Sequence, residues 1–376
     1  MQVQTDIDPF SFMLLNFEQA SKDMPPNFKS LNWDAFPNGY ADLIKNEKIW
    51  PRMLRNAITI GFNDALVSHS NQRFQRGNLD LWKEMKQGAF PDLVKEEKID
   101  QNLNRLIVNR VKKLIHSTDF EYVASNYIGK IGNPVVYEMS VKAGNATNYK
   151  INYNAHDYDD IYHSWFIVNQ LNHLEQEHPI ICEIGSGYGG LASKIKNNIK
   201  KSKIVIFDLP EVNAVQSYYL LNIFPGQKIF GYQDFLKYGS KILDHDFDFL
   251  IMPGWTANDL LKDKEVDAFI NVRSMMEMTA SVIRDYFKVI HNSLRENGLF
   301  ACINRYMKSV ITQSKNTEIN RLADYPFDTY WSPLYSFPSE IQPHIHVLIA
   351  RREITSPIYP FQEILKTIRP NAYLSG

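Results

Sequence analysis

The strongest chemical signal in the sequence is a cluster of glycines that directly follows an apolar run. Residues 183–190 read EIGSGYGG. Glycines at this spacing permit a tight turn and let the backbone approach a ligand, while free N–H groups at the start of a helix favour an anionic group. Asp208 ends the next predicted strand. An acid at that point can accept hydrogen bonds from ribose hydroxyls, so the two features together predict a nucleotide-type cofactor.

Two cofactor classes fit this glycine spacing. Gly185, Gly187 and Gly190 match the dinucleotide fingerprint G-x-G-x-x-G, which predicts an NAD(P)-dependent oxidoreductase. Glu183 lies two residues before the first glycine and, with Gly189, completes E-x-G-x-G-x-G, a pattern typical of S-adenosylmethionine enzymes. The position of the motif in mid-chain, behind a helical region, and the apparent antiparallel strands near the end of the sequence favour S-adenosylmethionine. A glycine-rich turn without a ligand is the third interpretation.

Glu277 is the first candidate general base. It follows the fourth predicted strand, whose carboxyl end also carries Asn271 and Ser274. A hydroxyl group is a poor nucleophile unless a positioned base removes its proton. The stretch Ser274-Met-Met-Glu277 also matches a capping box, in which the serine and glutamate side chains satisfy backbone N–H groups at a helix start. The sequence slightly favours the cap, but a cap can also border a pocket, so both roles stay open.

His163 is the second candidate base. It lies in the segment YDDIYHSW at 158–165, on the predicted helix that precedes the first strand. An imidazole is suited to proton transfer near neutral pH, although a histidine with a purely structural role is the more frequent case. Asn304, at the end of the fifth predicted strand, is a further polar candidate for the pocket. Neither the acidic segment at 156–160 nor the pair His344 and His346 has firm metal-ligand spacing, so we expect no metal.

Strands and helices alternate from residue 179 onward, which predicts a parallel α/β sheet covered on both faces. Apolar runs of strand length occur at 179–184, 203–209, 247–252, 266–272, 299–304 and 344–350. Helical patterns occur at 157–171, 189–199, 212–223 and 280–294. Residues 228–235 compete with 247–252 for the third strand, and we prefer the second segment. The last predicted strand follows an aromatic, proline-rich stretch and is expected to be antiparallel.

Three segments carry a resemblance to a known family. EIGSGYGGLA at 183–192, IFDLPE at 206–211 and INVRSMMEM at 270–278 resemble the bacterial sugar O-methyltransferase family, over about residues 130–310. The resemblance implies a Rossmann-like class I methyltransferase sheet, mostly parallel with an antiparallel C-terminal strand, and S-adenosylmethionine as cofactor. It also implies transfer of a methyl group to a hydroxyl of a sugar or of a sugar-containing molecule, such as a surface polysaccharide or its precursor.

The resemblance also implies roles for individual residues. Glu183 would lie near the amino group of the cofactor or brace the loop, and the glycines would border the methionine part. Asp208 would hold the ribose, and Leu209 would pack close to the adenine. The cofactor-binding residues expected on this basis are Glu183, Gly185, Gly187, Gly189, Asp208, Leu209 and Asn271.

The first part of the chain differs in texture from the rest. Residues 1–128 read as an N-terminal helical region, with amphipathic patterns at 50–61, 79–86 and 104–116, and residues 129–376 as the methyltransferase domain. No chemical motif occurs in the helical region. We therefore expect its helices to pack against the sheet and to help cover the acceptor site.

Composition excludes several classes of protein. The 376 residues are 44% hydrophobic and 22% charged, which argues against a disordered or fibrous chain. The 41 Lys and Arg nearly balance the 42 Asp and Glu, so no basic field exists for nucleic acid or an anionic membrane. Two cysteines, no apolar run of membrane-spanning length and no signal-like start predict a cytoplasmic protein. The family resemblance implies a small-molecule or glycan acceptor as its partner. The five lysines between Lys194 and Lys203 are expected to face water.

Overall fold

The computed structural model describes residues 8–26, 28, 44–47, 109, 111–127, 131, 137–143, 147–153, 155–312, 314–357 and 361–369. The helices predicted at 50–61 and 79–86, and the first part of 104–116, lie outside these residues; residues 111–117 are helical. The helices are α1 (Pro9–Asp23), α2 (Phe120–Asn126), α3 (Ala155–Leu171), α4 (Gly190–Asn198), α5 (Pro210–Ile223), α6 (Tyr232–Tyr238), α7 (Ala257–Leu261), α8 (Ala280–Ser293) and α9 (Phe361–Thr367).

Eight strands form one sheet, in the order β11-β12-β8-β7-β3-β4-β6-β5. They are β3 (Ile180–Ile184), β4 (Lys203–Asp208), β5 (Ile229–Phe230), β6 (Phe249–Pro253), β7 (Val266–Val272), β8 (Leu294–Arg305), β11 (Trp331–Pro338) and β12 (Ile345–Arg352). The six strands from β8 to β5 are parallel, whereas β12 pairs antiparallel with β8, and β11 pairs antiparallel with β12. The predicted fold class, a mostly parallel Rossmann-like sheet with an antiparallel C-terminal strand, is confirmed.

Alternation of side chains along each central strand builds a separate core on each face of the sheet. Ile204 and Ile206 of β4 point into a core shared with α1, α3, α4 and α5. Val205 and Phe207 of the same strand point into a core shared with α7, α8 and α9. This period of two follows from the pleat of the strand. Because both faces are covered, the strand reads as a continuous apolar run rather than an alternating one.

Most predicted strands and helices are found within a few residues of their expected bounds. Residues 247–252 are the third strand, as preferred, since β6 pairs with β4; the competing segment supplies the two-residue edge strand β5 and then helix α6. The start of the fifth strand was placed too late. Helix α8 ends at Ser293, and β8 begins at Leu294, five residues before the predicted start at 299.

Two hairpins lie outside the main sheet. The first pairs β1 (Tyr137–Ala143) with β2 (Thr147–Tyr153). The second pairs β9 (Met307–Ile311) with β10 (Thr317–Arg321) and follows β8 directly. Neither hairpin was predicted. The strands of the second are short and half exposed and so lack a buried apolar run.

Helix α1 is attached to the rest of the structure by a hydrogen bond to the start of α6 and by packing in the core that it shares with α3 and α5. Asp8 caps the helix by accepting a hydrogen bond from Ser11 N at 2.8 Å, and proline at the first helical position suits the start of a helix. The Asn16 side chain accepts a hydrogen bond from Gln233 N at 2.9 Å at the start of α6. Phe12, Met13 and Phe17 of α1 belong to the same core as α3 and α5. The domain boundary at 128/129 stays a prediction. No helix within the described ranges combines the length and the apolar character needed to span a membrane.

Candidate functional site

A cleft of about 530 Å³, partly open to solvent, lies at the carboxyl ends of the parallel strands. Ligands of open α/β sheets bind at this edge, where helices leave neighbouring strands on opposite faces. Four predicted site residues line the cleft: Gly185, Asp208, Leu209 and Glu277. The other lining residues are Phe28, Phe207, Ser274, Met278, Thr279, Val282 and Tyr286.

The glycine loop between β3 and α4 needs glycine at three positions. Gly185, Gly187 and Gly189 have φ angles of 73°, 60° and 93°, a region that side chains other than glycine rarely adopt. Gly185 N donates to Phe207 O at 2.8 Å, which holds the loop against the end of β4. A Cβ on Gly185 would overlap the Ser274 side chain. The loop is therefore shaped by backbone conformation and by close contact with the turn after β7.

Replacement of Gly185 by alanine is expected to cost more stability than replacement of Gly226, which is our matched control. Both glycines have positive φ, at 73° and 89°, so both variants carry a left-handed strain of about 1–2 kcal/mol. Only Gly185 has a neighbour in the way, because a Cβ on Gly226 would meet nothing within 4 Å. Overpacking against Ser274 should add about 1–3 kcal/mol. Urea unfolding of the two variants measures the difference; equal costs would mean that Ser274 moves aside freely.

Glu183, which precedes the loop, is a buried acid with an unpaired oxygen. Its side chain is 1% exposed, and among the described residues Oε2 has no hydrogen-bond partner. Burial raises the pKa of Glu183 to about 8, and the negative charges of Asp160 and Asp208 add to the rise. A buried carboxylate oxygen without a partner is costly. A ligand cation or N–H donor at this point would remove that cost.

Asp208 lies at the end of β4 and faces the cleft. Its Oδ1 accepts from Leu209 N and its Oδ2 from Gln216 Nε2, both at 2.8 Å. Gln216 Nε2 also lies 2.9 Å from Gly187 O, so it links the acid to the glycine loop. Loss of water around the carboxyl raises the pKa of Asp208 to about 7, against the opposing effect of these hydrogen bonds. Each carboxylate oxygen has a further lone pair with which to accept a ligand hydroxyl.

Asn271 is buried behind the loop, and its amide is engaged within the protein. Nδ2 donates to Ile184 O at 2.7 Å and also to Ser274 Oγ. Oδ1 accepts from Met275 N at 3.2 Å and from Asn304 Nδ2 at 2.8 Å. A side-chain amide has two donor hydrogens and two lone pairs, so its capacity is used. Asn271 and Asn304 thus link the ends of β3, β7 and β8 by hydrogen bonds. A contact between Asn271 and the cofactor stays a prediction.

Glu277 is in the cleft, but the capping box proposed for it is absent. Ser274 Oγ donates to Ile184 O at 2.8 Å and makes no cap bond, and residues 275–277 form a single 3₁₀ turn instead of a helix start. The capping interpretation was wrong because the Ser274 hydroxyl donates to the carbonyl of Ile184 at the end of the neighbouring strand β3. The Glu277 carboxylate forms an ion pair with Lys308 of β9, with both side chains about one quarter exposed. Glu277 therefore lies in the cleft, and its ion pair with Lys308 restrains its side chain.

His163 is not among the described residues that line the cleft. Its side chain is 1% exposed, and Nε2 has no hydrogen-bond partner among the residues that the structure describes. Burial lowers the pKa of His163 to about 4, so the imidazole is neutral at physiological pH. Its neighbours include the ion pair between Asp159 and Arg273 at 2.9 Å. A catalytic role for His163 therefore stays a prediction.

A buried polar network supports the glycine loop from below. Lys194 of α4 and Asp157 of α3 are fully buried and form an ion pair of 2.7 Å. The Tyr188 hydroxyl lies 3.1 Å from Asp157 Oδ1 and 2.9 Å from Asp160 Oδ2. Burial raises the pKa of Asp160 to about 6. These acids serve the fold through their partners, and the described part of the chain contains no group of three side chains suited to a metal ion.

Sequence reasoning missed four cleft residues that come from outside the motifs, namely Phe28, Thr279, Val282 and Tyr286. Val282 and Tyr286 are spaced i, i+4 on α8, so a helical wheel that considered both sides of the core stripe would have placed them together. Phe28 comes from the segment after α1, about 155 residues before the glycine loop, and no local pattern connects it to the site. Only the path of the chain in three dimensions brings it there.

Comparison with known proteins gives likeness to solved structures alone. No protein-family model matches the chain, and no curated protein sequence matches it. The mitomycin 7-O-methyltransferase MmcR is similar with 11% identity over 53% of this chain and 57% of that one, at a TM-score of 0.32. The match thus spans less than two thirds of the length of MmcR.

Two further solved structures illustrate the same level of likeness. A protein-L-isoaspartate O-methyltransferase from Plasmodium falciparum, in complex with S-adenosyl-L-homocysteine, shares 15% identity over 58% of this chain and 93% of that one, with a TM-score of 0.33. A sarcosine dimethylglycine methyltransferase from Galdieria sulphuraria shares 12% identity over 53% and 87%, with a TM-score of 0.37. Scores this low add nothing to the strand order described above and assign neither a cofactor nor a substrate to this chain.

Proposed function

We propose that this protein is an S-adenosylmethionine-dependent O-methyltransferase that acts on a hydroxyl of a sugar or a sugar-containing molecule. The acidic surroundings of the glycine loop support the cofactor most directly. Glu183, Asp160 and Asp208 interact electrostatically around one loop. S-adenosylmethionine carries an ammonium, a sulfonium and one carboxylate, so it is a net cation. Acids around the loop attract such a ligand.

The same acids disfavour the nicotinamide alternative. A dinucleotide places its pyrophosphate at the helix that follows the glycine loop, here α4. Asp160 lies against Gly190, the first residue of that helix, and Glu183 is close by. Two negative phosphate groups next to buried acids would be repelled or would force the acids to stay protonated.

The residues fit two polar groups of S-adenosylmethionine, its ammonium and its ribose. Bound there, the cofactor supplies a methyl group on a positively charged sulfur, which an acceptor oxygen attacks in line. Glu183 Oε2, which lacks a partner among the described residues, would accept from the ammonium. Asp208, which lines the cleft, would accept from the ribose hydroxyls.

The acceptor is assigned to the side of the cleft that Glu277 occupies. Its carboxylate is held by Lys308 and is one quarter exposed, so it can take a proton from a hydroxyl that lies in the cleft. A carboxylate base suits an oxygen acceptor. The sugar class rests on the sequence resemblance at 183–192, 206–211 and 270–278.

Calorimetric titration tests the cofactor class. We expect S-adenosylmethionine and S-adenosylhomocysteine to bind, and NADH and NADPH not to bind. Binding of NADH without binding of either adenosyl compound would overturn the proposal. A screen of free sugars, nucleotide sugars and polysaccharide fragments with methyl-labelled cofactor then tests the acceptor, and transfer only to an acceptor without a sugar would refute the sugar assignment.

Cofactor affinity should rise with pH between about 5.5 and 8. The pKa values of Asp208 and Glu183 are raised to about 7 and about 8 by burial, and both must be ionised to accept from the ribose and the ammonium. Calorimetry with S-adenosylhomocysteine across this range measures the effect. Glu183→Gln, which cannot ionise, should bind more weakly at pH 8 and lose the upper part of the pH dependence. A flat pH profile in the wild type would contradict these roles.

The unliganded protein should show the opposite pH trend in stability. Both acids bind protons more tightly folded than unfolded, so the folded state is favoured below their unfolded pKa values near 4 and loses this advantage as pH rises to about 8. Glu183→Gln should therefore be more stable than the wild type at pH 8. Thermal unfolding of both proteins at pH 5 and pH 8 provides the comparison.

A further inference from the structure

Phe28 contributes an aromatic ring to the cleft from the segment after α1. The ring contacts Trp255 edge to face, with centroids 5.1 Å apart and planes at 83°. Trp255 follows β6 in a 3₁₀ turn that begins at Gly254. A Cβ on Gly254 would lie 2.9 Å from Phe28 Cζ, so the glycine leaves the space that the ring occupies. Phe28 is thus packed against the end of β6 and exposed to the cleft on another side.

The strand order decides which part of a bound cofactor lies next to this ring. Along the edge of the sheet, β3 ends in the glycine loop, β4 ends in Asp208, and β6 ends next to Phe28. Neighbouring strands are about 4.8 Å apart. With the amino-acid part on the loop and the ribose on Asp208, the nucleobase must extend toward β6. Its surroundings there are apolar, with Phe28, Leu209, Val282 and Tyr286 in the wall of the cleft.

The segment that carries Phe28 is held by contacts within the segment, with α1 and with Trp255. Phe28 N donates to Pro25 O at 3.3 Å. Upstream, the Tyr232 hydroxyl donates to Asp23 Oδ2 at 3.2 Å, and Asn16 holds the start of α6. Trp255 also contacts Tyr232, with ring centroids 6.3 Å apart. The ring is therefore positioned by the packing of α1 and does not depend on a bound ligand.

We propose that Phe28 is a binding residue for the nucleobase of the cofactor, so that the N-terminal segment forms part of the cofactor site. The proposal rests on the proposed function and extends it. It also changes the expected role of the N-terminal region, which was assigned to the acceptor side only. Contact between an aromatic ring and a base contributes to binding for any base, because every base has an apolar face.

The test compares three variants by calorimetry with S-adenosylhomocysteine. Phe28→Leu keeps apolar packing against Trp255 and Gly254 but removes the flat ring, and we expect a loss of affinity of about 5- to 150-fold. Phe28→Tyr keeps the ring and should bind nearly as the wild type does. The matched control is Phe10→Leu, because Phe10 packs on the core from α1, the helix that precedes Phe28, but is not among the described residues that line the cleft. Thermal unfolding without ligand checks that all variants are folded.

The possible outcomes separate this inference from the proposed function. Unchanged affinity in Phe28→Leu, with the wild type binding, overturns the role of Phe28 and leaves the cofactor assignment intact. Equal losses in Phe28→Leu and Phe10→Leu overturn it too, because they would indicate that docking of α1 matters and the ring does not. Absence of binding in the wild type refutes the cofactor assignment and this inference with it. Loss in Phe28→Leu alone, with recovery in Phe28→Tyr, is the expected result.

Discussion

Glu277→Gln should lower the rate of methyl transfer by about 100- to 10,000-fold, the usual contribution of a positioned general base. The amide keeps the shape of the side chain and can still accept a hydrogen bond from Lys308, but it is a very weak base. Affinity for S-adenosylhomocysteine should not change. The measurement is a single-turnover rate on the acceptor found by screening, together with a calorimetric affinity.

Glu318→Gln is the matched control for this variant. Glu318 lies on the hairpin that also carries Lys308, and its Oε2 accepts from Ala280 N at 2.9 Å, a bond that the amide oxygen can replace. Glu318 is not among the described residues that line the cleft, so the control should keep full turnover. Because Ser274 forms no cap with Glu277, Glu277→Gln should remain as stable as the wild type within about 1 kcal/mol, the usual value of a partly exposed ion pair.

The result also decides between the two candidate bases. Full turnover in Glu277→Gln would remove Glu277 as the base. His163→Ala would then be the next variant to examine. Because burial lowers the pKa of His163 to about 4, a rate that depends on it would not titrate near neutral pH. The pH dependence of the rate therefore does not distinguish His163 from Glu277 as the base, as it would for a histidine with an ordinary pKa. The two substitutions make this distinction instead.

Asp208→Ala should weaken binding of S-adenosylhomocysteine by about 2–4 kcal/mol, or about 30- to 700-fold, if both ribose hydroxyls donate to the carboxylate. The change also leaves Leu209 N and Gln216 Nε2 without the carboxylate that accepts their hydrogen bonds. Thermal unfolding must therefore accompany the titration, to check that the variant is folded. Asp208→Asn keeps an acceptor oxygen without the charge and should show an intermediate loss.

Asp234→Ala serves as the control for Asp208→Ala. Asp234 also accepts a backbone hydrogen bond, from Gly231 N at 2.9 Å, but it is not among the described residues that line the cleft. Its loss should affect stability without affecting affinity. Wild-type affinity in a folded Asp208→Ala protein would remove the ribose role and, with it, the strongest reason for a nucleoside cofactor.

The sequence by itself determined the central sheet and the shape of the glycine loop. Segments such as 204–207 are apolar over their whole length because both faces of the strand are covered, and this pattern is local. The glycine loop was equally readable, since Gly185, Gly187 and Gly189 are required by the backbone conformation of the turn itself. Cys182 and Cys302 fall inside the apolar runs at 179–184 and 299–304, and both are buried.

Only the tertiary structure decided which polar side chains are free to act. Lys194 and Lys196 were expected to face water, but both are buried, because Asp157 and Asp248 meet them from other elements at 2.7 and 2.6 Å. The capping box failed for the same reason, since Ile184 O competes for the Ser274 hydroxyl. A charged or hydroxyl side chain takes whichever partner the fold brings within about 3 Å, and that partner is distant in the sequence. Local patterns therefore predicted where strands and turns form, whereas partners from distant segments decided which groups are left for a ligand.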